Sequence, residues 1–128
     1  MAEIKENLLY TKEHDWLRIE GELAYIGITD YAQAALGEIV FADHEPLDSQ
    51  IALEGPLGVV ESVKAASDIA SPVSGTLVEV DEAVIETPDL INSEPYAHAM
   101  FVIRLDDPSQ LEGMLDAAGY AAYCEGLH

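Results

Sequence analysis

Lys64 lies in the run Val59-Val60-Glu61-Ser62-Val63-Lys64-Ala65-Ala66-Ser67-Asp68. The chain holds 25 Asp and Glu residues but only 5 Lys and Arg. Between Arg18 and Arg104 Lys64 is the only one of those five. A primary amine in this setting has three physical uses. It can be a solvated charge that keeps a strand edge soluble. It can be a Schiff-base nucleophile, which requires a depressed pKa from desolvation or a neighbouring cation; Glu61 and Asp68 oppose that by favouring the ammonium form. It can be the acceptor of a covalently attached carrier group, which removes its charge and builds a long arm. Small neighbours such as Ala65, Ala66 and Ser67 keep access to the amine open. These residues alone leave the first and third uses open.

Other chemistry-bearing residues are less organised. His14, His44, His98 and His128 are scattered, with no pair at metal-ligand spacing, so no metal is expected. Carboxylate pairs such as Asp106-Asp107 are expected by chance in so acidic a chain, and no Ser/His/Asp pattern stands out. Cys124 is the single cysteine; it has no internal partner, which fits a reducing compartment. A net charge of −20 repels nucleic acid and anionic lipid and attracts basic protein surfaces. No run approaches the roughly 20 apolar residues of a membrane helix, and the N-terminus lacks signal or transit character. The expectation is a soluble bacterial protein of the cytoplasm, with neither nucleic-acid nor membrane partners.

The elements that must position Lys64 read as short strands. Trp16-Leu17-Arg18-Ile19 and Leu23-Ala24-Tyr25-Ile26 flank a Glu20-Gly21 turn as a hairpin. Thr29 caps a short helix over Asp30 to Leu36 that Gly37 stops. Glu38 to Phe41 is the next strand, and residues 42–58 mix strand and turn. Val59 to Val63 and Ile69 to Val73 read as strands, with Lys64, Ala65 and Ala66 near the turn between them. Thr76 to Val80 and Phe101 to Leu105 complete the set, and Thr87-Pro88 reads as the start of a helical turn. Asp107-Pro108-Ser109-Gln110 resembles a capping box, and Leu111, Met114, Leu115 and Ala118 recur at helical spacing before Gly119. A single domain over 1–128 is expected, its core at about 20–105 and a C-terminal helix at about 108–118.

Several blocks together resemble the glycine cleavage system H-protein family. They are Tyr10-Thr11-Lys12-Glu13-His14-Asp15-Trp16, Gly27-Ile28-Thr29-Asp30-Tyr31-Ala32-Gln33, Leu36 to Phe41, Gly58 to Ala65, Ser71 to Gly75 and Leu90 to Tyr96. The match spans roughly residues 8–123 in register. The resemblance implies a mainly β, barrel-sandwich hybrid of the lipoyl/biotinyl-domain type with short helices. It implies lipoate in amide linkage on Lys64, as a carrier with no turnover of its own. Its partners would be a pyridoxal-phosphate glycine decarboxylase, a tetrahydrofolate-dependent aminomethyltransferase, a flavin-dependent dihydrolipoyl dehydrogenase, and a lipoate ligase or lipoyl/octanoyl transferase. Asp15, Ile28 and Asp68 match family positions near a cleft that shelters the loaded arm. Glu61, Ser62 and those three are candidates for ligase recognition or for the arm cleft, and the sequence does not separate the two roles. Ala99-Met100 replaces a usual Gly-Trp, which alters local packing. Asp48 and Glu54 replace turn glycines, where positive φ costs a side chain some energy. A biotin carrier is disfavoured because Val63 and Ala65, not methionines, flank the lysine. A lipoyl-relay paralogue and an unmodified acidic interaction module remain alternatives.

Overall fold

The computed structural model describes residues 3–126. Its strands are β1 (Leu9–Tyr10), β2 (Asp15–Glu20), β3 (Leu23–Ile28), β4 (Ile39–His44), β5 (Gln50–Ile51), β6 (Pro56–Ser62), β7 (Ala66–Ala70), β8 (Gly75–Val80) and β9 (Phe101–Leu105). The helices are α1 (Asp30–Leu36), α2 (Glu82–Glu86), α3 (Leu90–Ser93) and α4 (Ala117–Glu125). A six-stranded sheet runs β1-β2-β3-β9-β8-β5, and a three-stranded sheet runs β4-β6-β7. The fold is mainly β with short helices and a helix at the C-terminal end, as expected.

Strand alternation explains the core. Leu17, Ala24, Ile26, Leu77 and Ile103 of the larger sheet and Ile39, Ala42, Leu57, Val60 and Ile69 of the smaller one are all buried in one apolar cluster. Their neighbours in sequence, such as Arg18, Phe41 and Glu61, point outward and are exposed. This is the period of two that the strand pleat imposes. Met100, in place of the family's tryptophan, is buried in this core. A flexible side chain fills irregular space there.

The hairpin read from Trp16 to Ile26 forms, with Asp15 opposite Ile28 and Glu20 opposite Leu23. Helix α1 starts at the expected cap: Thr29 Oγ1 accepts from the Ala32 N–H at 3.2 Å. Gly37 ends it at φ 87°. Asp48 and Glu54 adopt φ of 67° and 63°, so the loop keeps the glycine-type conformation despite their side chains. Backbone anchors hold it: Asp48 N–H donates to Leu77 O at 2.7 Å, and Glu54 N–H to Ser71 O at 2.8 Å. These bonds offset a left-handed cost of roughly 1–2 kcal/mol per residue.

Three readings change. The helix expected at about 108–118 is divided into a 3-10 turn at Pro108–Leu111 and α4 at Ala117–Glu125. Between them Leu115 leaves the helical path to exchange both backbone hydrogen bonds with Tyr10, at 2.8 and 2.9 Å. Asp116 then caps α4, and Gly119 N–H donates to its Oδ1 at 2.7 Å, so Gly119 lies inside the helix. The strand expected over Ile69–Val73 instead begins at Ala66, because pairing with β6 resumes directly after the lysine turn. Thr87-Pro88 does start a helical turn, with Leu90 N–H donating to Thr87 O at 3.1 Å ahead of α3, but α2 was not anticipated.

Gly75 opens β8 between two strands, opposite Ile51 and Leu105. A Cβ there would overlap the Arg104 carbonyl. Gly75→Ala is therefore expected to lower stability by about 2 kcal/mol, the usual cost of overpacking. Urea unfolding checks this, and an unchanged midpoint contradicts it.

Candidate functional site

The β6–β7 hairpin carries Lys64 at its tip, and its turn is built without a left-handed residue. The non-glycine residues with positive φ among those described are Asn7, His14, Asp48 and Glu54. A primed two-residue turn, which needs positive φ, is thus not used by Val63-Lys64. Ser62 supplies the alternative. Its Oγ accepts from the N–H groups of both Lys64 and Ala65 at 3.1 Å. Ser62 N–H donates to Ala65 O at 2.7 Å, and Val63 N–H donates to Glu38 O at 3.0 Å. The loop is tied down on both sides, and the lysine stands on a firm base. Ser62→Ala removes two side-chain acceptor contacts and is expected to slow acylation of Lys64 several-fold, with global stability lowered by about 1 kcal/mol. An acylation time course on the variant checks this; an unaltered rate contradicts it.

Lys64 is exposed and makes no ion pair among the described residues. Its aliphatic stem crosses Gly37, where an added Cβ would lie 2.8 Å from Lys64 Cε. Gly37 thus both stops α1 and leaves room for the lysine. Sequence reasoning assigned it only the first role. A glycine facing the tip of another hairpin leaves no local pattern to read.

Beside this hairpin lies a cleft of about 870 Å³, within the ~300–1,000 Å³ range of small-molecule sites. Leu36, Val60 and Ser67 line it from α1, β6 and β7, and Thr11, Glu13 and His14 line it from the connection between β1 and β2. Asp15, Ile28 and Asp68 all line it. The first two are cross-strand partners, whereas Asp68 comes from β7 in the other sheet. Glu61 and Ser62 do not line the cleft. Glu61 is exposed opposite Phe41 on the outer face of the smaller sheet, and Ser62 shapes the turn.

Asp15 is the unusual group in this cleft. It is 5% exposed and has no cationic partner among the described residues. Thr11 Oγ1 donates to its Oδ2 at 3.2 Å. Burial pushes its pKa up to about 7; the Thr11 hydrogen bond opposes the shift and the charge of Glu13 adds to it. An unpaired buried carboxylate disfavours folding and favours any cation that enters the cleft.

The C-terminal helix braces the same wall. Tyr120 is fully buried, stacks on Tyr10 with centroids 4.5 Å apart, and shares hydrogen bonds with Thr29 Oγ1 at 2.7 Å and His14 Nδ1 at 2.8 Å. His14 in turn stacks on Tyr31, centroids 4.4 Å apart. Burial pushes the His14 pKa down, against the opposing charge of Glu13, so the ring is neutral near pH 7. Sequence reasoning weighed His14 only as a metal ligand and gave Tyr31 and Tyr120 no role, because the contacts that join the three span up to 106 positions.

The family model described as glycine cleavage H-protein matches residues 8–126. The chain belongs to the glycine cleavage H-protein family. It is 51% identical over 118 residues to a glycine cleavage system H protein of Alkaliphilus oremlandii, covering 92% of this chain and 93% of that one. With the Escherichia coli glycine cleavage system H protein it shares 46% identity over 127 residues, 98% of each chain. The crystal structure of a glycine cleavage system H protein from Mycobacterium marinum superposes with a TM-score of 0.86 at 30% identity, covering 95% of this chain and 99% of that one. As a member of the H-protein family, the chain presents an exposed amine on a braced hairpin and, alongside it, a cleft holding an unpaired carboxylate. No helix among the described residues is long and apolar enough to cross a membrane.

Proposed function

We propose that the chain is the lipoyl carrier of the glycine cleavage system, modified on Lys64. The observation that carries this reading is the exposed Lys64 amine, without an ion-pair partner among the described residues, on a turn pinned by Ser62 and Glu38. A modifying enzyme reaches such an amine without unfolding anything. The cleft fits the group as well, since it has apolar wall from Ile28, Leu36 and Val60 for a hydrocarbon arm. When attached, lipoate supplies a dithiolane whose sulfurs accept an aminomethyl unit and undergo thiol–disulfide exchange.

The chain's own residues do the rest. Lys64 fixes the root of the arm. Ser62 holds the turn in the shape the ligase or lipoyl/octanoyl transferase recognises, and exposed Glu61 adds a charge to that recognition. Ile28 and its apolar neighbours exclude water from the parked arm, which protects hydrolysable cargo. Asp15 and Asp68 provide carboxylates for a cationic amine. The whole chain acts as one carrier domain in the cytoplasm, a substrate in turn for glycine decarboxylase, the aminomethyltransferase and dihydrolipoyl dehydrogenase, with no catalytic residue of its own.

Intact-mass and peptide analysis of protein from its own cells tests this. A gain of one lipoyl group on Lys64 is expected. A biotin at that position, or an unmodified lysine in lipoate-replete cells, contradicts it.

A further inference from the structure

The outer face of the β4–β6–β7 sheet carries apolar side chains that the core does not use. Val40 is 52% exposed, Phe41 45% and Val63 65%. Phe41 and Glu61 are cross-strand neighbours, and Val63 is joined to Glu38 through its backbone. Three of the five exposed large apolar side chains among the described residues thus lie near the Lys64 turn. Carboxylates surround them: Glu38, Asp43 and Glu61 are all exposed. No Arg lies between Arg18 and Arg104, and the only Lys there is Lys64 itself.

Two occupants of this face are disfavoured by the geometry. β4 is an edge strand, but a register shift between Ile39 and Phe41 places Val40 in a bulge. A bulge disrupts the ladder and blunts strand addition. A second copy of the chain brings the same acidic ring and a further charge of −20, so like charges meet. An aromatic anchor within a ring of carboxylates complements an apolar recess ringed by lysine and arginine.

Resting on the carrier role above, we propose that Phe41, with Val40 and Val63, is the docking anchor that seats the chain on glycine decarboxylase. The seat is an apolar recess with a basic rim at the entrance that admits the Lys64 arm. The anchor lies next to the arm's root, so docking and entry of the arm are one event. Glu38, Asp43 and Glu61 steer the approach and set its orientation.

The test separates docking from the arm by working on a Lys64→Arg background. This chain and its Phe41→Ser, Phe41→Leu and Leu47→Ser derivatives are titrated into purified glycine decarboxylase by calorimetry, with circular dichroism confirming each fold. Phe41→Ser is expected to weaken binding about thirtyfold, the scale of an aromatic hot spot. Phe41→Leu recovers most of the affinity. Leu47→Ser, a similarly exposed residue in the turn after β4, leaves it unchanged. Equal affinity for the Phe41→Ser and parent chains overturns the proposal, and so does a dimer, seen by sedimentation, that Phe41→Ser dissolves. Since no lipoyl group is present, failure here leaves the carrier role standing. An unmodified Lys64 in native protein would instead remove the carrier role, whatever the calorimetry reads.

Discussion

Lys64→Arg is expected to fold like the parent and to lose all glycine-dependent turnover in a reconstituted system of the four components. The folding half follows from the surroundings of the side chain. Lys64 is exposed, pairs with no carboxylate among the described residues, and meets Gly37 only through its aliphatic stem. The turn is held by Ser62 Oγ and backbone groups, none of which belongs to the lysine side chain. Arginine keeps the charge and nearly the length. The functional half follows from chemistry: a guanidinium stays protonated and does not accept the acyl group an amine accepts. Unfolding midpoints should coincide within error while turnover falls to the blank. Measurable turnover in the variant would remove Lys64 from the centre of the mechanism.

The second large effect concerns Asp15 and runs in opposite directions for stability and function. In the folded chain burial raises its pKa to about 7 from an ordinary value of 3.8. Between those values the folded state holds a proton that the unfolded state has released. The contribution of Asp15 to wild-type stability therefore falls through that window as pH rises, by about 1.4 kcal/mol per pH unit, and levels off above about 7. Asp15→Asn removes the titration and keeps an oxygen for Thr11 Oγ1. Its advantage over wild type should be absent near pH 4 and reach about 4 kcal/mol near pH 8. Comparing the two chains cancels the contribution of the other carboxylates. Urea midpoints across that range check the sign, and an advantage that shrinks with rising pH refutes it.

Function should pay for this gain. A cation entering the cleft lowers the Asp15 pKa and binds its ionised form. Glu13, Glu54 and Asp68 add negative charge around it, Lys12 opposes them, and His14 is neutral near pH 7. Retention of cationic cargo in wild type should therefore weaken as pH falls below about 7. In Asp15→Asn it should be about tenfold poorer at any higher pH, the scale of a lost charge-assisted hydrogen bond. The half-life of the loaded chain toward hydrolysis reports this. Equal half-lives in the two proteins would assign the carboxylate a role elsewhere. A buried charge that costs stability and attracts cargo is the usual signature of a functional site.

The other elements of the site divide by the range of the forces that form them. Thr29 capping α1, Gly37 ending it and the alternation of β2, β3, β6, β8 and β9 are local matters, and each was readable from a few consecutive residues. The C-terminal segment was not. Leu111, Met114, Leu115 and Ala118 carry helical spacing, but Leu115 pairs with Tyr10, more than a hundred positions away in the chain. That pairing overrides the local pattern and moves the helix start to Ala117, behind the Asp116 cap.

By itself the sequence determined the family resemblance, which names Lys64 as the candidate amine, and the strand and turn chemistry that places Lys64 at a hairpin tip. These follow from residue type and spacing within short windows. Only the tertiary structure decided that Asp15 is buried without a counterion among the described residues, in the cleft that Ile28 and Asp68 also line, and that Val40, Phe41 and Val63 are all exposed near the lysine turn. Each of those facts depends on sheet pairing and burial between distant segments. A carboxylate's charge state, like a phenylalanine's exposure, belongs to its surroundings and not to its position in the chain.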